Sequence, residues 1–116
     1  MAEALPDHDA GLMLDMLQAS RDALAFVEPL QEVDFLASRL HQYAVIRSLE
    51  IVGEAAGKVS AATCNQHPEV PWREMIGMRH RLIHGYAEVR LDLVWFVVRE
   101  RLPALIITLD AILGDH

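Results

Sequence analysis

With 116 residues, 53% hydrophobic and 23% charged, the chain can fill one core and little more. A formal charge of −7 excludes broad, indiscriminate binding to nucleic acid, and the single cysteine, Cys64, excludes an internal disulfide or a cysteine metal cluster. No apolar run approaches the roughly 20 residues that cross a bilayer, and the acidic N-terminus has no basic-then-apolar leader, so a cytoplasmic protein is expected.

Helical spacing runs through the chain, and strand-like alternation is absent. The first predicted helix covers Asp9 to Val27, with Leu12, Met16, Ala19, Ala23 and Phe26 at intervals of three or four. Pro29 ends it. A connection carrying Glu32 and Asp34 leads into the longest predicted helix, Phe35 to Ser60, which is apolar on most sides from Leu36 and Leu40 through Val45 and Leu49 to Ala56. Such a helix belongs in the centre of a bundle or in a subunit interface. Its polar strip is Arg47, Glu50, Glu54 and Lys58. Glu54 before Lys58 suits a solvated ion pair, whereas Arg47 and Glu50 lie in the most apolar stretch and suit the wall of a cleft.

The segment from Ala61 to Pro71, which contains Cys64 as a passive residue, reads as a loop. Pro71 suits the opening of a helix from Trp72 to His84, with Gly85 as its stop. Trp72, Ile76, Arg79 and Ile83 would share one face of that helix, flanked by Met75, Met78 and Leu82. A fourth helix carries Leu91, Val94, Trp95, Val98 and Leu102. Pro103 then punctuates the chain, and a last helix ends at Gly114. The expected architecture is an all-α, up-and-down bundle of four or five helices forming one domain over residues 1–116.

The chemistry concentrates in Arg79-His80-Arg81-Leu82-Ile83-His84-Gly85-Tyr86. Arginine grips phosphate oxygens with two prongs, and histidine exchanges protons near neutral pH. Those two groups suffice to cleave RNA without a metal, because RNA brings its own nucleophile in the 2′-hydroxyl. Charge supports a focused phosphate site: residues 72–101 carry six arginines against four carboxylates, a net of +2, while the remainder carries −9. Arg79 stands where an apolar residue is expected, so its guanidinium must face a carboxylate, a partner or a wet cleft. Glu50 or Glu54 could orient it.

Arg79 and His84 are five residues apart, hence about 140° apart around an ideal helix. Either the last turn unwinds before Gly85, or two copies of the helix meet across a dimer. His80 and His84, at i and i+4, could hold a metal on one face, but no third clustered ligand completes such a set.

These stretches resemble the HepT-like branch of the HEPN superfamily. The likeness is carried by Val45-Ile-Arg-Ser-Leu-Glu-Ile-Val-Gly-Glu-Ala-Ala56, by Pro71 to Tyr86, which contains the motif Arg-x4-His-x-Tyr as Arg79, His84 and Tyr86, and by Leu91-Asp-Leu-Val-Trp95. The family often has Asn where this chain has Ser48 and His80. The resemblance implies an all-α homodimer acting as a metal-independent endoribonuclease toxin, with no cofactor. Arg79 and His84 would be catalytic, with His80, Arg47, Glu50 and Glu54 in support. It implies a small nucleotidyltransferase antitoxin of the MNT type as partner, which adds AMP to Tyr86 and so silences the site. The competing reading is a non-catalytic helical subunit that docks or presents substrate to the nucleotidyltransferase.

Overall fold

The long apolar stretch that begins at Phe35 divides at Ser38. In the computed structural model, which describes residues 5–85 and 89–114, Ser38 is extended (φ −121°, ψ 104°) and caps a new helix, its hydroxyl accepting from the His41 amide at 3.3 Å. A serine oxygen satisfies one of the free amides that every helix start exposes. Upstream lies α2 (Glu32–Leu36), whose first turn is tied by the Asp34 carboxylate accepting from the Gln31 amide at 2.9 Å. The predicted connection is therefore itself helical, and the predicted long helix is α3 (Arg39–Lys58), preceded by α1 (Asp7–Val27) and α2.

The predicted loop after α3 also contains a helix, α4 (Ala61–Gln66), because Ser60 caps it through the Thr63 amide at 3.3 Å. Cys64 thus sits on a helix, partly buried, and burial pushes its thiol pKa up, which suits a passive residue. The next helix, α5 (Trp72–His84), has its expected bounds, but Gly85 ends it at φ −115°, without the left-handed turn typical of glycine stops.

Pro103 does not separate two helices. The chain runs from α6 (Leu91–Phe96) through a wide π turn at Val97–Arg101 into α7 (Leu102–Gly114). The Leu102 amide reaches back five residues to the Val97 carbonyl. That wider turn makes room for the proline ring, which would otherwise press on the carbonyl four residues before it.

Helix α3 is central. It packs against α1 on one side and α5 on the other, while α7 closes the far side of α1 and α2 bridges α3 and α6. Phe35, Met13, Met16, Leu49, Met75 and Leu102 are fully buried in the shared core. The buried stripes are rotated slightly from expectation. Phe26, Leu36 and Leu40 are exposed, and α5 turns inward Trp72, Met75, Met78 and Leu82, leaving Ile76 and Ile83 outside. The flank of α5 thus became its core face, which moves Arg79 from the middle of that face to its edge.

Two polar clasps fix the ends of the bundle. Arg99 donates to the carbonyls of Val27 (2.8 Å), which also accepts from the Leu30 amide, and Leu30 (2.6 Å), just beyond the C-terminus of α1, and stacks on Trp95 at 4.7 Å. Asp9, buried in the first turn of α1, accepts from the hydroxyls of Ser60 (2.6 Å) and Thr63 (2.5 Å) and from the Ser60 amide (3.0 Å). No helix among the described residues is long and apolar enough to cross a membrane.

Candidate active site

The site is built on the pairing of α5 with α3, and its seat is a glycine. A Cβ placed at Gly53 would lie 2.3 Å from the Cβ of Arg79, 3.3 Å from its Cδ and 2.7 Å from the Met75 carbonyl oxygen. Only a residue without a side chain lets the two backbones approach this closely, so Arg79 runs directly across α3. Sequence reasoning gave Gly53 no role. The available signal was a glycine in the middle of an otherwise apolar helix, where it costs helix stability and needs a packing reason.

Arg79 is half-buried, its Nε is wholly shielded, and that atom has no hydrogen-bond partner among the described residues. The carboxylates expected to orient it are engaged elsewhere. Glu50 pairs with Arg47 at 3.8 Å and Glu54 with Lys58 at 3.4 Å, each within α3. Glu54 also lines a shallow groove toward α1, together with Leu12 and Asp15. Glu50 is one turn before Gly53 and so shares its side of α3. Arg47 is exposed. Ser48 turns back to its own helix, donating to the Ala44 carbonyl at 3.1 Å.

His84 lies on another side of α5. The helix stays regular to its end, with the Gly85 amide bonded to the Arg81 carbonyl at 2.9 Å, so the unwinding route for joining Arg79 to His84 is not taken. Instead His84 stacks with His80, ring centroids 4.5 Å apart, and both line a cavity of about 410 Å³ between α5 and α6. Arg79 does not line that cavity. Within one chain, then, the stem of Arg79 rests on α3 while the imidazoles line the cavity toward α6.

Among the described residues, His80 and His84 have no third metal-ligating side chain beside them, and no group of three forms. Tyr86 lies outside the described residues. Around the cavity mouth, Arg90 donates to Asp92 at 2.7 Å, and this guanidinium holds the Asp92 carboxyl below its ordinary range.

Residues 16–112 match the family described as Ribonuclease HepT-like. The chain is 41% identical over 95 residues to a protein of Thermococcus cleftensis named probable ribonuclease HepT, covering 78% of this chain and 86% of that one. It is 36% identical over 93 residues to a protein of Methanocaldococcus jannaschii provisionally named an RNase, covering 80% and 85%. A similarly named protein of Caldanaerobacter subterraneus is 33% identical over 90 residues, covering 78% and 80%. No solved structure gives a significant match.

Proposed function

Because this chain belongs to the HepT-like ribonuclease family, we propose that it cleaves RNA without a metal, at a site completed when two copies pair. The observation that carries this reading is Arg79. It is a half-buried arginine seated on Gly53, making no ion pair among the described residues, in a motif with a histidine that faces elsewhere. A cation held in that way awaits an anion, and the scissile phosphate is the anion the family's substrate supplies.

In the proposed reaction the His84 imidazole removes the 2′-hydroxyl proton. The 2′-oxygen then attacks the adjacent phosphorus, and the bond from phosphorus to the 5′-oxygen breaks. Arg79 from the other copy stabilises the crowded, dianionic phosphorane. The departing 5′-oxygen takes a proton from His80, from the second His84 or from water. The products are a 2′,3′-cyclic phosphate and a 5′-hydroxyl end. Glu50 and Arg47 support the α3 wall, and Glu54 acts through the solvated end of the same strip.

The physiological role is a toxin held in check by an MNT-type nucleotidyltransferase. That partner transfers AMP from ATP to the Tyr86 phenol oxygen, with pyrophosphate leaving. An adenylate two residues from His84 would crowd the groove and repel RNA phosphate. Intact-mass measurement after incubation with the partner and ATP should show AMP addition that Tyr86→Phe abolishes; an adduct surviving in that variant would reject the residue.

For the cleavage reading, Arg79→Ala and His84→Ala should each abolish cleavage of RNA in the presence of a chelator and relieve growth arrest in cells. A chain that is only a docking subunit would be harmless to cells in every form. Undiminished cleavage by both variants, or strict dependence on divalent metal, would overturn the mechanism.

A further inference from the structure

Helix α5 carries Arg79, His80 and His84, yet it is held closely on one side only. It packs along α3, where Gly53 lies against Met75 and Arg79. Toward α6 the cavity intervenes, with Met78, Leu82, Val94 and Val97 as its floor, beside the later turns of α5. Among the described residues a single polar side-chain link joins α5 to the run from α6 to α7. Arg101 meets Glu74 with both prongs: its Nε donates to Glu74 Oε1 at 2.9 Å, and its Nη2 donates to Oε2. The two residues stand 27 apart in sequence, and such a forked pair fixes direction as well as distance. The free amides in the first turn of a helix favour an acidic residue there in any case, but that role needs no distant arginine.

The far end of this link is itself anchored. Arg101 closes the π turn, and Arg99, two residues earlier, ties the same turn to the carbonyls of Val27 and Leu30. One wide turn therefore bears two arginines, the first fastened near the end of α1 and the second to the start of α5. Wide turns set into a regular helix occur frequently at functional sites. The arrangement also has leverage. The seat on Gly53 is centred near Gly77, so Glu74 lies about 4–5 Å along the axis on one side and His84 about 10 Å on the other. A tilt about that seat moves His84 roughly twice as far as Glu74. A misplacement of about 1 Å at reacting groups can cost about a hundredfold in rate.

We propose that Glu74 and Arg101 are a positioning pair, which sets the angle at which α5 crosses α3 and thereby the place of His84 when two copies meet. Neither residue touches the reacting atoms; both act through the helix that carries them. The catalytic consequence rests on the ribonuclease reading. The control of the helix angle does not.

The test compares wild type with Glu74→Gln, Arg101→Met and the charge swap Glu74→Arg/Arg101→Glu. Residual dipolar couplings of backbone amides report the orientation of α5 relative to α3, and steady-state kinetics on RNA report the site. Each single variant should turn the α5 couplings as a block while those within α3 stay in place. Each should lower kcat at least about tenfold, with KM within about twofold. Pairs this exposed contribute little to stability, so thermal unfolding should barely move. The swap rebuilds the attraction and should return both the couplings and at least about half of kcat. Unchanged α5 couplings in both single variants would overturn the pair, as would a swap that restores nothing. A loss of kcat matched by a large fall in melting temperature would also overturn it, by reducing the pair to a clamp on the fold.

The two readings separate cleanly. A wild-type chain that cuts RNA, with variants that cut equally well, would remove the positioning role and leave cleavage standing. A wild-type chain that cuts nothing would remove cleavage, and the couplings alone would then decide whether the pair sets the angle of α5.

Discussion

Arg79 lies directly over Gly53: a Cβ at the glycine would sit 2.3 Å from the Cβ of the arginine. The distance links a backbone choice in α3 to the placement of a catalytic candidate in α5. It also makes Gly53 the position where the smallest substitution should have the largest effect. Gly53→Ala should destabilise the fold by about 1–3 kcal/mol through overpacking and should lower cleavage, because α5 must shift. Gly57, one turn on, is the control. Its added methyl would meet only Ile76 Cγ1 at 3.9 Å, so Gly57→Ala should stabilise by up to about 1 kcal/mol. Chemical denaturation of the two variants checks this; shifts of the same sign would contradict the contact.

Asp9 gives a pH-dependent prediction. Burial alone would push its carboxyl pKa up, but hydrogen bonds from Ser60 and Thr63 outweigh that and leave it below the ordinary carboxylate value. A group whose pKa is lowered by folding stabilises fully above its unfolded pKa, near about 4, and loses that contribution as pH falls through the lower folded value. Asp9→Asn should cost about 1–3 kcal/mol at neutral pH and flatten the acid limb of the stability curve. Urea titrations from pH 7 to pH 2.5 measure both effects, and an unchanged acid limb would count against the clasp.

Arg99 serves two carbonyls and an aromatic face at once. Arg99→Met should lower stability by about 1–3 kcal/mol, since the Leu30 carbonyl loses its Arg99 donor while Val27 keeps only the Leu30 amide. Arg99→Lys should recover less than half of that, because a point ammonium cannot reproduce the planar fork that also stacks on Trp95. Full recovery by lysine would show that charge alone matters here.

Ser20 is fully buried, and its hydroxyl has no partner among the described residues. Replacing it removes an unsatisfied polar atom at the cost of very little volume. Ser20→Ala should therefore be neutral or stabilising by up to about 1 kcal/mol in thermal unfolding. A loss larger than that would mean the hydroxyl is bonded.

Much of the architecture was legible in the sequence because α5 and α1 carry clear three-four spacing and sharp punctuation, with Pro71 before α5 and Pro29 after α1. The errors share a physical cause. Ser38 and Ser60 are helix caps, and in the sequence the flanking pattern hides each of them, by suggesting continuity at Ser38 and a loop after Ser60. Pro103 suggests a break because the usual effect of proline is to stop a helix, yet a π turn absorbs it. At the candidate site, the residue types in Arg79, His80 and His84 could be picked out from chemistry. The seat at Gly53 and the cavity floor could not, since both depend on how α5 meets its neighbours in space. The expected orientation of Arg79 by Glu50 or Glu54 gave way to local ion pairs with Arg47 and Lys58, whose partners are only one helical turn away.

The pairing of two copies is the step on which the catalytic account turns, and subunit mixing tests it most directly. Arg79→Ala and His84→Ala chains should each be inactive alone. Mixed in equal amounts and allowed to exchange, half of the dimers should be hybrids, each with one site that combines an intact Arg79 from one copy with an intact His84 from the other. RNA cleavage should then return to about a quarter of the wild-type rate. If the mixture stays as inactive as its components while hybrid dimers form, the two groups do not act across the pair.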